Sequence, residues 1–248
     1  MQEITMKIVP IRIANCRRAL ADGWKMANAT RGISIGYSLV FVLGGLAIIG
    51  SLLAQGLTPF IIPAAGAFML IGPVILAGFF GVATAKERGE VVGFGSIVAG
   101  FSGAHRALWA LSLVCGLLFM IFVTDAAILY AYMLGQAPVW LTELIPVADG
   151  VIKFFKWAAV SGFVVALLLY CISAFSVPLL CDARANLVQA IVISVRIVFG
   201  SFPVTMAWAG ILAILIIGSI VLLPLLPLAL PWLAYSSRSL YRQAIPMV

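Results

Sequence analysis

Few side chains in this chain could do chemistry, and their types and spacing restrict what that chemistry is. His105 is the sole histidine among 248 residues. A haem–copper centre needs several histidines, so that chemistry is excluded, and a single His–Met haem is disfavoured because His105 stands beside Arg106 at the start of an apolar run. Asp125, in Phe122-Val123-Thr124-Asp125-Ala126, is the one carboxylate well inside an apolar run. An acid within a membrane span is a functional candidate by default. At ~1.5 Å per residue from Arg106, however, it stands nearly ~30 Å along a helix, close to the far interface. Pairing there with Lys153 or Lys156 and handling of protons or cations are the two readings, and both stay open. Asp182 precedes a helical segment and is expected to cap its N-terminus.

Cys16, Cys115, Cys171 and Cys181 form no CxxC pair and no histidine-flanked cluster, so neither a zinc site nor a disulfide framework is expected. There is no Walker loop, GxSxG or HExxH, and Gly93-Phe94-Gly95 lacks the context of a nucleotide site. No catalytic residue, cofactor or metal ligand is assigned, and an enzyme is not expected.

The elements that carry these residues belong to a membrane. The chain is 64% hydrophobic and 9% charged, with a mean hydropathy of +1.21; a soluble domain carries about 25% charged residues. A span needs ~20 apolar residues. Such runs occupy Gly32 to Leu53, about Phe60 to Ala83, Ala107 to about Leu134, and Trp157 to Cys181. From Ile197 to Ser237 no charge occurs, and one helix of that length would reach ~60 Å, twice the hydrocarbon core. Pro224 and Pro227 suit a reversal near residues 222–227, giving spans from about Val204 to Leu222 and from about Leu225 to Ser237. Pro73 and Pro178 lie inside spans and are expected to kink them.

The net charge of +7 is a matter of membrane orientation, not of nucleic acid. Every lysine and arginine falls on one side of this arrangement except Lys153 and Lys156, and that side is expected to be cytoplasmic. No cleaved signal peptide is expected, because the basic N-terminal segment runs into an apolar stretch too long for one. Tyr130, Tyr132, Trp140 and Trp157 are expected in the outer headgroup belt, and Trp24, Trp232, Tyr235 and Tyr241 in the inner one.

Residues 11–29, 91–104 and 183–200 have an amphipathic rather than spanning pattern and are expected to lie in the cytoplasmic interface. Each leads into a span, so the chain divides into three units of in-plane helix plus hairpin. Arg17, Arg18, Arg106, Arg184 and Arg196 are candidate contacts to lipid phosphate. Gly32, Gly36, Gly44 and Gly45 form a small-residue face for helix packing. The expected organisation is an all-α polytopic membrane protein. It has a cytoplasmic segment at 1–31, one six-span domain at 32–241 and a short cytoplasmic tail at 242–248.

Three stretches stand out: Gly23-Trp24 with residues 32–42, residues 66–73 with Glu87-Arg88-Gly89-Glu90, and Ser176-Val177-Pro178-Leu179-Leu180-Cys181-Asp182 running into Ala190 and Ser194-Val195-Arg196. Together they resemble a bacterial six-pass family known only as domain of unknown function 2189. The closing Tyr241-Arg242 fits as well, whereas the two histidines typical of the family's C-terminal motif are missing from residues 234–242. The resemblance implies the fold and the bacterial inner membrane, with no established activity. A label resembling cytochrome oxidase subunit I, carried by some members, finds no support in these residues. The expectation is a non-catalytic accessory or assembly subunit of a larger membrane complex, respiratory or otherwise energy-transducing, with lipid and other membrane subunits as partners. The alternative is a small transporter or channel.

Overall fold

The computed structural model describes residues 8–55, 61–102, 106–134 and 149–246. In chain order the helices are α1 (Ile13–Ala29), α2 (Arg31–Ala54), α3 (Ile61–Glu87), α4 (Phe94–Ser102), α5 (Arg106–Leu134), α6 (Asp149–Ser173), α7 (Ser176–Cys181), α8 (Leu187–Gly200), α9 (Phe202–Val221) and α10 (Leu226–Ala244). The described residues form no strand. Arg31–Ala54, Arg106–Leu129, Ala159–Cys181 and Phe202–Ser219 are long and apolar enough to cross a bilayer. Six spans are not shown by that measure. The expected sixth lies in α10, whose C-terminal half carries Arg238, Tyr241, Arg242 and Gln243 and is too polar to qualify on hydropathy.

The reversal near residues 222–227 and the break at Pro178 fall where proline places them, whereas α3 runs unbroken through Pro73. The chain reverses at a 3-10 turn, Leu223–Leu225, closed by the Leu225 amide on the Leu222 carbonyl at 2.8 Å. Pro178 has no N–H for the carbonyl of Ala174, and the helix breaks between α6 and α7. The Ser176 hydroxyl donates back to the Ile172 carbonyl across that break, at 2.5 Å. Pro73 sits inside α3.

The three segments read as amphipathic are helices α1, α4 and α8, each ending just before α2, α5 and α9. Their packing follows one rule. α4 packs on α3, α8 packs on α6, and α1 packs on α10, so each short helix lies on the second helix of the preceding hairpin and the first closes on the last. A small residue sits at each crossing. Gly23 presses on Ser236, and a Cβ on Gly100 would meet the Ala77 carbonyl and the Gly81 Cα. Ser194 donates to the Cys171 carbonyl at 2.7 Å and accepts from the Phe175 amide at 3.2 Å.

Helices α3 and α7 end in the same way. The amides of Gly89 and Glu90 return to Lys86 and Ala85, and those of Ala183 and Arg184 return to Leu180 and Leu179. Both are Schellman closures with a left-handed residue, Gly89 at φ 72° and Ala183 at φ 51°. Ala77, Gly89 and Gly100 recur as Cys171, Ala183 and Ser194 at identical spacings along the chain. The core gathers where the short helices meet the long ones, around Phe79, Leu108, Leu111, Leu179, Ile197 and Tyr241, all fully buried.

Candidate functional site

The polar chemistry of the described residues concentrates at that end, around Arg238. Helix α10 turns Leu233, Ala234, Ser236, Leu240 and Tyr241 inward, and the same face carries Arg238, only 4% exposed. The glycine at position 23 lets α1 approach closely enough for the Trp232 indole N–H to reach the Leu20 carbonyl at 2.9 Å. A buried guanidinium is costly unless it is paired and hydrogen-bonded. Here the acceptors come from α3 and from the end of α7. Arg238 donates to Thr84 Oγ1 at 2.7 Å and to Glu87 Oε1 at 3.4 Å. Its second terminal nitrogen lies 3.3 Å from Glu87 Oε2 and 4.0 Å from Asp182 Oδ1. The guanidinium also stands over the Phe80 ring at 5.9 Å. Burial and the neighbouring Arg242 pull its pKa below the usual arginine value, against the opposing pull of Glu87 and Asp182.

Arg242, one turn on, shares the carboxylate, with Nη1 at 2.7 Å from Glu87 Oε1. Arg184 straps the end of α10 to the loop after α7. It donates to Tyr241 Oη and the Ile245 carbonyl, each at 3.1 Å, and to the Pro246 carbonyl at 3.3 Å. Burial, reinforced by the charge of Asp182, pushes the Tyr241 phenol up to about 12 although Arg184 opposes the rise. Asp182 and Arg184 flank Ala183, whose left-handed backbone turns the chain so that both face α10. A non-glycine residue there costs about 1 kcal/mol.

A cleft of about 600 Å³ opens beside this cluster, between α1, α3 and α10. Arg18, Asp22, Glu87, Arg238 and Arg242 line it. Asp22 accepts from Ser239 at 3.0 Å, and the Asn15 amide donates to Gln243 at 2.9 Å at the same helix crossing.

The residues singled out from the sequence separate into several groups. Asp182 joins the Arg238 cluster, but it does not cap α8. Its amide returns to Pro178 at the C-terminal end of α7, and Asn186 caps α8, accepting from the Gln189 amide at 2.9 Å. The reason is the Schellman turn, which consumes three residues between the two helices. Arg184 is held by the chain's own acceptors, while Arg17, Arg18, Arg106 and Arg196 are exposed. Asp125 lies on an exposed face of α5 and has no ion-pair partner among the described residues. His105 and Trp140 lie outside the described residues. Tyr235 and Tyr241, expected in a headgroup belt, are instead buried, and Tyr235 Oη meets Ser34 Oγ at 2.7 Å. Gly45 is buried, whereas Gly32, Gly36 and Gly44 have no atom within 4 Å of where a Cβ would stand.

Sequence reasoning passed over Thr84 and used Arg238 only to set orientation. The available signal was position: Ala234, Arg238 and Tyr241 recur at helical spacing on one face, so the arginine had to be buried with them. Glu87, Asp182, Tyr241 and Arg242 all stood in the stretches that carried the family resemblance, and the fold brings those separate stretches together.

The apolar helices and the charge cluster sealed at one end define a multi-pass α-helical integral membrane protein. Residues 61–182 match the family model described as predicted integral membrane protein, DUF2189, so the resemblance read from the sequence is shown over that stretch. No curated protein and no solved structure matches the chain.

Proposed function

We propose that this protein is a non-catalytic accessory or assembly subunit of a larger complex in the bacterial inner membrane. In this reading it has six spans, with both termini in the cytoplasm. The observation that carries it is the outer face of α2, where Gly36 and Gly44 have open space around them. Only 17% of the apolar window of α2 is buried, against 44% for the span through α6 and α7. Glycines that pack against the chain itself need no further account, but these do not. A glycine face offers lipid little contact and offers another helix a close backbone approach.

The six-span reading draws support from α3 and α10. Helix α3 is 27 residues long and apolar. Helix α10 follows directly on the reversal, and at ~1.5 Å per residue its 19 residues reach ~28 Å. Its polar end is neutralised by Glu87 and Asp182. The positions of the basic residues support the orientation, and the matched spacings about Gly89 and Ala183 relate two of the three hairpin units.

The test is gentle extraction of the native membrane followed by co-purification. A stoichiometric membrane-protein partner is expected, and Gly36→Leu with Gly44→Leu should release it while this chain stays inserted and folded. Recovery of this chain alone, or loss of its fold in the double variant, overturns the reading.

A further inference from the structure

The cleft between α1, α3 and α10 has more cationic donors than its own carboxylates can satisfy. Glu87 is engaged by both Arg238 and Arg242, and Asp22 accepts from Ser239. Arg238 Nε and Arg242 Nε are nevertheless buried without an acceptor among the described residues. Arg18, exposed on the rim, has no hydrogen bond or ion pair among them. The cleft lining itself carries three guanidinium groups and two carboxylates around a space of about 600 Å³, while a third carboxylate, Asp182, approaches Arg238 to 4.0 Å from outside that lining. Planar guanidinium forks suit a tetrahedral oxyanion, whose several oxygens can accept from more than one arginine at once.

We infer that this cleft binds a phosphate group, with Arg18 closing over it from the rim and Arg238 and Arg242 forming the inner wall. The phosphate belongs either to the headgroup of an anionic lipid or to a soluble phosphate. The site is independent of the α2 face and holds whether or not a partner docks there. Asp22 and Glu87 set its selectivity: both are already occupied as acceptors, and they repel any anion that does not reach all three arginines.

Two probes distinguish the sources on the delipidated full-length chain in detergent. Native mass spectrometry reads retention of phosphatidylglycerol against diacylglycerol of the same acyl chains. Thermal unfolding reads stabilisation by inorganic phosphate against chloride at equal ionic strength. Retention of one phosphatidylglycerol per chain assigns the lipid source, and stabilisation by phosphate alone assigns the soluble one. In either case Arg18→Gln should weaken binding about tenfold, the loss of one charge-assisted hydrogen bond. Arg18→Lys should keep most of the binding, and Arg88→Gln, an exposed arginine paired with Glu90 and outside the cleft lining, should leave it unchanged. Because Arg18 is exposed, its variants are expected to keep the wild-type melting temperature without ligand. Absence of binding by both probes overturns the site. So does binding that is indifferent to Arg18→Gln or equally weakened by Arg88→Gln.

Discussion

The Arg238 cluster shows how burial decides the worth of a charge pair. Removing one member of a buried pair leaves its partner unmatched and costs about 3–5 kcal/mol, whereas an exposed pair contributes about 0–1 kcal/mol. Arg238→Met should therefore lower the melting temperature of the detergent-solubilised protein strongly. Arg88→Gln should change it little, since Arg88 and Glu90 are 3.9 Å apart with side chains 69% and 56% exposed. Equal shifts in thermal unfolding would refute the buried pairing. The sequence displayed half of this site. Asp182 stood out as an acid at the end of an apolar run, but its partner lay far along the chain, and nothing in local spacing joins Thr84, Asp182 and Arg238. Only the crossing of α3, α7 and α10 does so. Local spacing also misassigned the cap: an acid before a helix looks like an N-cap until the Schellman turn ahead of it is known.

At the scale of elements, hydropathy was sufficient for the helices because lipid forces backbone hydrogen bonds to be satisfied within each span. The boundaries of α2, α5 and α9, the reversal at 222–227 and the break before Pro178 all follow from apolar length and missing proline donors. The failure at α10 has an equally physical cause. A helix that pairs its charges inside the protein need not be apolar, and hydropathy cannot see the pairing. The small residues at the crossings carry a sharper test. Gly100→Val on α4 must displace the Ala77 backbone, and overpacking of this kind costs about 1–3 kcal/mol. Gly95→Ala on the same helix meets nothing within 4 Å and should be neutral or slightly stabilising. Proteolytic sensitivity of the loop between α3 and α4 reads the difference: enhanced cleavage is expected in the first variant and none in the second. Equal sensitivity would mean that the crossing does not fasten α4.

At the scale of the molecule, topology is open to direct measurement. Reporters active only outside the cytoplasm should work when fused near residues 56 and 145 and stay silent near residues 88 and 190 and at the C-terminus. An active C-terminal fusion would remove the hairpin at 222–227 from the spanning count. The contact of α1 with α10 has a further consequence, for the order in which the chain is made. Asp22 and Ser239 are 217 residues apart in sequence yet hydrogen-bonded. Helix α1 leaves the ribosome before every other described helix, and α10 leaves after them all. Until α10 is inserted, Gly23 has no Ser236 to rest on, the Leu20 carbonyl has no indole, and Glu87 holds its charge without an arginine. The nascent protein therefore spends most of its synthesis with its first helix undocked. Docking of α1 waits until α10 has left the ribosome and inserted, long after α1 itself was made.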